Sequence, residues 1–155
     1  DYAAYNPAGD VYWDEVNFKT NLASVCNTSY ATIPIAGARK KAQWRNSLDS
    51  KFTIVGNRGV QEGNFQDQTL YNRSKTLLIH GSPKKWEGNI CYNDGHTAFE
   101  DTFLPEGLDT KVNGTVTPDN IFKDDQGNGD AEIGGDCYLV IVRGVQGNEH
   151  QLTWD

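Results

Sequence analysis

The stretch that decides the fold spans residues 79–96 and reads IHGSPKKWEGNICYNDGH. Its first half holds a Gly and a Pro, which predict a turn, and the apolar run Ile90–Tyr92 predicts a short strand. Asn-Asp-Gly follows at 93–95, and these residue types tolerate the positive φ angles that a tight hairpin turn requires. We therefore predict a β-hairpin with Trp86 at its base and a return strand over 96–103.

Other strands are predicted along the chain from short runs of apolar and β-branched residues. A second hairpin is indicated at Asn113-Gly114, where two turn-forming residues lie between two valines. The continuous apolar run Tyr138–Val142 predicts a strand that is buried on both faces at the centre of the sheet. Further strands are expected at 52–55, 76–79 and 151–154, and a polar loop is expected at 63–72.

The composition favours short strands and turns over long helices. Sixteen Gly and seven Tyr are spread over 155 residues, and Tyr is typical of strands whereas Gly is typical of turns. We expect a mostly β fold built on an antiparallel sheet, with at most one short N-terminal helix within 13–25. Residues 1–17 are expected to form an extended segment, and residues 18–155 a single β-rich domain with one hydrophobic core.

The charge balance argues against two classes of partner. The chain carries 21 acidic and 14 basic side chains, and this net charge of −7 repels nucleic acid and anionic membrane surfaces. No apolar run approaches the roughly 18 residues that a membrane-spanning helix needs. No basic-apolar signal segment opens the sequence, so we expect a mature product or a fragment that has no membrane partner.

The hairpin region also carries a family resemblance. His80, a Gly-Asn-apolar run at 88–92 and an Asp-Gly-His ending at 94–96 resemble the His-x9-Asp-Gly region of secreted bacterial prepilin-like proteins. In this chain thirteen residues, rather than nine, separate His80 from Asp94. Supporting context lies at 51–59, 119–122 and 138–142, so that the resemblance covers roughly residues 25–145.

This resemblance implies an exported structural subunit with a pilin-like α+β head, and it does not imply an enzyme. Members of the family begin with a long apolar helix, which has no counterpart in this sequence. We therefore expect a secreted extracellular filament or surface assembly, but not a pilus with a core of such helices. Open filaments arise when identical subunits join head to tail through interfaces that do not close.

The N-terminal segment is rich in aromatic side chains. One interpretation packs them on the core of their own domain, and the other docks them onto the sheet edge or groove of a neighbouring subunit. Four large rings on a free tail would expose apolar surface to water, which favours a bound state. The predicted subunit-interface residues are Tyr2, Tyr5, Tyr12 and Trp13.

Two other functional classes are compatible with the residues. A monomeric secreted carbohydrate-binding module would stack exposed indole rings on sugars, and its candidates are Trp44, Trp86 and Trp154. A small hydrolase would be built on Cys91 and His80, although no family-specific flanking motif accompanies either residue. Scattered histidines are more often structural, so we predict no catalytic residue and do not expect an enzyme.

An acidic, Gly-rich stretch beginning at Asp124 resembles a calcium loop in type. Oxygen-bearing side chains, with Gly residues that let the backbone curl, suit a hard cation such as Ca²⁺. The EF-hand pattern is not met, because the twelfth position from Asp124 is Gly135 rather than Glu. A solvated acidic loop without a cofactor is therefore favoured, and the candidate calcium ligands are Asp124, Asp125, Asn128 and Asp130.

One basic run stands out in the acidic chain, at residues 39–45, and it reads RKKAQWR. A solvated loop or a short helix is one interpretation of this run. Contact with an acidic partner surface is the other, because complementary charge steers association.

Cysteines and glycosylation sequons offer further candidate sites. Three cysteines allow at most one internal disulfide, and a Cys26–Cys137 pairing stands beside the alternative of plain buried thiols. Three Asn-x-Ser/Thr sequons would carry glycans if the producing cell glycosylates this protein. Their acceptor residues are Asn27, Asn72 and Asn113.

Overall fold

The elements of the fold were assigned in a computed structural model. It describes residues 18–22, 24, 26–34, 39–40, 43–80, 83–125, 136–146 and 149–155. The strands are β1 (Tyr30–Thr32), β2 (Thr53–Asn57), β3 (Gly88–Tyr92), β4 (Thr97–Glu100), β5 (Asp109–Val112), β6 (Thr115–Pro118), β7 (Ile141–Gln146) and β8 (Glu149–Thr153). The helical elements with described bounds are α1 (Gln68–Arg73) and two 3-10 turns, Gln61–Gly63 and Lys75–Leu78.

The strands form one four-stranded sheet and two separate hairpins. The sheet has the order β1-β2-β3-β4 and is antiparallel throughout, while β5 pairs with β6 and β7 pairs with β8. A single bridge between Thr32 and Val140 connects the outer side of β1 to the residue before β7. The structure therefore confirms the prediction of a mostly β fold with antiparallel sheets.

The predicted central hairpin is confirmed as the β3–β4 pair. Cys91 lies opposite Thr97, and Gly95 occupies the turn with a φ of 89° and donates its N–H to the Tyr92 carbonyl at 2.9 Å. Such a positive φ costs a Gly little, which explains why this turn was predictable. The return strand is shorter than expected and ends at Glu100, because the chain bends over 101–104.

The hydrophobic core is centred on three aromatic rings. Trp86 lies 5.1 Å from Phe122 and 5.4 Å from Phe103, measured between ring centroids, and its indole N–H donates to the Arg58 carbonyl at 2.9 Å. A Cβ atom at Gly59 would lie 2.3 Å from the ring of Phe122, so only Gly fits at this position. The indole at the base of the hairpin is thus the centre of the core.

Two local predictions were wrong. The polar stretch 63–72, expected to be a loop, contains α1, whose N-cap Asp67 accepts hydrogen bonds from the backbone N–H groups of Thr69 and Leu70. A capping Asp satisfies backbone donors that would otherwise lack partners at the start of a helix. The expected strand 76–79 lies largely within the 3-10 turn Lys75–Leu78.

The apolar run 138–142 is buried as predicted, but it is not the centre of a sheet. Tyr138, Leu139, Val140 and Ile141 are all buried. The strand begins only at Ile141, and it pairs with β8, the predicted last strand. Val140 forms the bridge to Thr32, Leu139 donates its N–H to the Ile121 carbonyl at 2.7 Å, and Leu152 and Trp154 pack against Tyr138 and Val140, so this run is buried without lying at the centre of a sheet.

The predicted N-terminal elements lie at the limit of the described residues. The extended segment 1–17 falls outside them, as does most of the expected helix within 13–25. The described residues 18–22 are not helical. No described helix is both long and apolar enough to span a bilayer.

Candidate functional site

The most distinctive surface of the described residues is the loop 44–48, which we call the Trp44 loop. Asn93, in the turn of the β3–β4 hairpin, holds this loop through its side-chain amide. Its Oδ1 accepts from the backbone N–H and the hydroxyl of Ser47 at 2.7 and 2.8 Å, and its Nδ2 donates to the Arg45 carbonyl at 2.8 Å. Three hydrogen bonds to one side chain give the loop a defined conformation.

The Trp44 loop holds large apolar side chains in water. Leu48 is 71% exposed and has a φ of 53°, and Trp44 is 45% exposed. A positive φ is uncommon for a branched residue and costs on the order of 1–3 kcal/mol. The Asn46 side chain accepts from the Leu48 N–H at 3.2 Å and thereby supports this backbone conformation. Strained backbone positions cluster at functional sites, and the exposed side chains of Trp44 and Leu48 make this loop a candidate contact surface.

A small groove lies against the loop, and we call it the Trp44 groove. It has a volume of about 250 Å³ and is lined by Trp44, Arg45, Asn46, Ile54 and Asn93. This volume is below the range of about 300–1,000 Å³ that is typical of small-molecule sites. The groove therefore suits one large side chain better than a cofactor.

Strand β4 forms a second exposed surface. It is the last strand of the sheet order, and its Phe99 is 58% exposed with the imidazole of His80 edge-on against its ring at 6.0 Å. Edge strands present unpaired backbone groups that can accept a further strand. Acidic side chains flank this edge, because Glu100 lies in β4 and Asp101 follows it.

The predicted interface residues lie outside the described part of the chain. Tyr2, Tyr5, Tyr12 and Trp13 all belong to residues 1–17, so their role in a subunit interface stays a prediction.

The three tryptophan candidates for sugar stacking differ in exposure. Trp86 is 2% exposed at the centre of the core, so it cannot stack on a ligand. Trp154 is half-buried, and its indole N–H donates to the Phe122 carbonyl at 3.1 Å. Trp44, which is 45% exposed, is the most exposed of the three candidates.

Part of the basic run is buried, contrary to the expectation of a solvated loop. Arg39 is fully buried, and its guanidinium contacts the Asp136 carboxylate at 3.0 Å and the Asp136 carbonyl at 2.9 Å. Asp124 lies 3.6 Å from the same guanidinium. A buried guanidinium is stable only with such partners, since its charge loses contact with water. Lys40 and Arg45 of the same run are exposed.

These ion pairs bear on the predicted calcium ligands. Asp124 faces Arg39, and Asp125 accepts from the Lys123 ammonium at 2.9 Å and from the Asn120 N–H at 2.7 Å. Asn128 and Asp130 lie outside the described residues. Within the ranges that the structure describes, no group of three or more His, Cys, Asp or Glu side chains is arranged to hold a metal ion. The two candidate calcium ligands that the structure describes, Asp124 and Asp125, already contact cationic side chains, and Asp125 also accepts from a backbone N–H.

A buried carboxylate next to this cluster was missed by the sequence interpretation. Asp119 is buried, and its Oδ2 accepts from the Cys137 N–H at 2.9 Å. Burial, together with smaller contributions from the neighbouring carboxylates of Asp136 and Asp125, raises the pKa of Asp119 to about 7. No local signal marks Asp119, because its environment is assembled from distant segments.

The cysteines are free thiols, so the candidate Cys26–Cys137 disulfide is not formed. Cys26 accepts from the Arg58 guanidinium at 3.2 Å, whereas Cys137 contacts the Thr53 N–H at 3.5 Å. Burial raises the pKa of the Cys137 thiol, which leaves it protonated and a poor nucleophile.

The hydrolase candidates have different partners. The Cys91 thiol donates to the Tyr92 carbonyl at 3.6 Å, and His80 packs on Phe99, so no hydrogen bond joins the two. A base within hydrogen-bonding distance of the nucleophile is the first geometric requirement of such a site. His96 stacks on Tyr92 at 4.3 Å between ring centroids.

The three sequon asparagines differ in exposure. Asn72, in α1, and Asn113, in the β5–β6 turn, are exposed. Asn27 is half-buried, and its Oδ1 accepts from the Lys19 N–H at 2.7 Å. A glycan would be accommodated more readily at the first two positions.

No family model matches this chain, and no curated protein or solved structure is significantly similar to it.

Proposed function

We propose that this chain is a structural subunit of a secreted extracellular filament or surface assembly, and that it polymerises head to tail through its N-terminal segment. The Trp44 loop is the observation that carries this proposal. It holds Leu48 and Trp44 in water by hydrogen bonds and by an unfavourable backbone angle. Such a surface becomes favourable when a partner covers it, because burial of apolar area is stabilising.

Head-to-tail assembly requires a donor surface on one subunit and a different acceptor surface on the next. An aromatic segment on one subunit and an apolar loop on the next form a heterologous contact, which propagates into a filament unless its rotation closes a ring. Strand β4, the last strand of the sheet, offers a second contact between subunits by addition of a strand.

Export to the cell surface accompanies this role. The resemblance to secreted prepilin-like proteins supports it, and the exposed sequons at Asn72 and Asn113 are compatible with attached glycans. We assign the chain no catalytic residue and no cofactor, and its partners are copies of itself rather than nucleic acid or membrane.

A monomeric carbohydrate-binding module is the second candidate function. The exposed ring of Trp44 beside the polar side chains of Arg45 and Asn46 favours it. The burial of Trp86 removes the extended aromatic platform that this function would use.

Negative-stain electron microscopy of the purified full chain tests the proposal, together with a variant that lacks residues 1–12. Regular fibres are expected for the full chain, and dispersed particles with an unchanged circular dichroism spectrum are expected for the variant. Fibres that persist without residues 1–12 would exclude assembly through this segment. Monomeric particles of the full chain that bind sugars in a glycan screen would favour the second candidate.

A further inference from the structure

We propose that the Trp44 groove is the acceptor for the N-terminal segment of a neighbouring copy of this chain. This inference rests on the proposed function and adds the receiving surface to it. The occupant is residues 1–17, with Tyr12 or Trp13 as the side chain that enters the groove.

Charge complementarity is the first argument. Residues 1–17 carry four acidic side chains and no Lys or Arg. The acceptor stretch 40–51 carries exposed cations at Lys40, Arg45 and Lys51, and the opposing charge there is Asp49. Arg45 itself lines the groove. In a chain with a net charge of −7, this stretch offers net positive charge to an acidic segment.

Size is the second argument. A groove of about 250 Å³ with an indole and an isoleucine in its lining can take one large aromatic side chain. Tyr and Trp are the residues that most often anchor protein interfaces, because they bury a large area at a low cost in conformational entropy. The donor segment offers such residues next to its acidic ones, at Tyr12-Trp13-Asp14-Glu15.

Reach is the third argument. An extended chain spans up to about 3.3–3.6 Å per residue, so 17 residues cover roughly 55–60 Å. That length is about twice the roughly 30 Å diameter of a small domain, so the segment can reach a neighbouring subunit.

The edge of β4 is a weaker acceptor for this occupant. Its neighbouring cation, Lys85, already pairs with Asp101. Glu100 lies within the strand and Asp94 lies at the hairpin turn beside it, so an acidic segment would meet like charge at this edge.

A charge-swap experiment on the full chain tests the pairing. One variant carries Arg45→Glu, a second carries Asp14→Lys with Glu15→Lys, and a third combines all three substitutions. We expect each of the first two to raise the critical concentration for assembly about tenfold or more, and the combined variant to recover most of that loss. Lys111→Glu on β5, an exposed site, is the control for the same change of charge.

Sedimentation velocity measures assembly, and circular dichroism verifies that each variant is folded. Assembly of Arg45→Glu at the same concentration as Lys111→Glu would overturn the acceptor while leaving the proposed function intact. The same holds if the combined variant stays as defective as its parents. A wild-type chain that never assembles would overturn both proposals. If the wild type is monomeric and the swap alters only its thermal unfolding, the segment docks on its own chain instead.

Discussion

Two buried regions of this molecule are stabilised in opposite ways. The first is the aromatic core of Trp86, Phe103 and Phe122, in which burial of apolar surface supplies the free energy. The second is the charge cluster around Arg39, where the carboxylates of Asp136 and Asp124 face one guanidinium. Both regions exclude water, but only the second depends on the protonation of its members.

The same degree of burial therefore produces different responses to pH in the two regions. An apolar core contributes stability at any pH at which the chain is folded. A buried carboxylate loses hydration, and it must be compensated by partners or by a proton. Asp119, beside the cluster, is compensated by a proton, because its pKa of about 7 leaves it partly protonated at neutral pH.

The largest expected effect is the loss of the core indole. Trp86→Ala removes the ring that contacts Phe103 and Phe122, and the free energy of unfolding should fall by about 4 kcal/mol. Because no charge is involved, the loss should be equal at pH 5 and pH 8. Urea denaturation at both values measures it, with Trp44→Ala as a matched control at an exposed indole. An equal loss in the control would show that the core is not centred on Trp86.

The second effect breaks the charge cluster. Arg39→Met keeps an unbranched side chain but leaves the Asp136 carboxylate without its buried cation, and we expect a loss of roughly 3 kcal/mol at pH 8. The loss should be smaller at pH 5, where Asp119 is largely protonated and less negative charge remains. Urea denaturation of Arg39→Met beside the exposed Lys40→Met measures both values. A pH-independent loss would mean that the protonation of Asp119 is not coupled to the Arg39 cluster.

The third expected effect comes from removing a buried charge. The pKa of Asp119 is about 7 in the folded chain and about 4 when unfolded, so the folded state holds more protons between these values. The contribution of Asp119 to the free energy of unfolding is therefore fully present below about pH 4 and is lost as the pH rises through 7. Asp119→Asn should stabilise the protein at pH 8 by on the order of 2 kcal/mol and have little effect at pH 4.

Urea denaturation between pH 4 and pH 8 measures this difference, with the exposed Asp109→Asn as control. Parallel stability profiles for wild type and Asp119→Asn would contradict a raised pKa.

The smallest effect concerns the Trp44 loop. Asn93→Ala removes three hydrogen bonds to the loop, and since these are partly exposed we expect a global loss of only about 1 kcal/mol. Hydrogen exchange at the Ser47 amide should accelerate more than exchange in the sheet. The matched control is Asn89→Ala, whose side chain is exposed in β3. Unchanged exchange at Ser47 would show that the loop does not depend on Asn93.

Local chemistry explains which elements were predictable. The turns at Asn93–Gly95 and Asn113–Gly114 require positive φ angles at Gly95, Asn113 and Gly114, and the residue types that tolerate them are visible in the sequence. The helix α1 was also within reach, because Asp67 is a recognisable N-cap, but its short polar sequence resembles a loop.

The sequence by itself determined the mostly β class, the two tight hairpins and the last strand, because turn residues and alternating patterns act over a few positions. Only the tertiary structure decided that Arg39 is buried while Arg45 is exposed, since the partner of Arg39 lies 97 residues away at Asp136. The tertiary structure likewise buried Trp86 and exposed Trp44, although polar residues flank both tryptophans in the sequence. Burial depends on which distant segments fold together, and no local pattern encodes that choice.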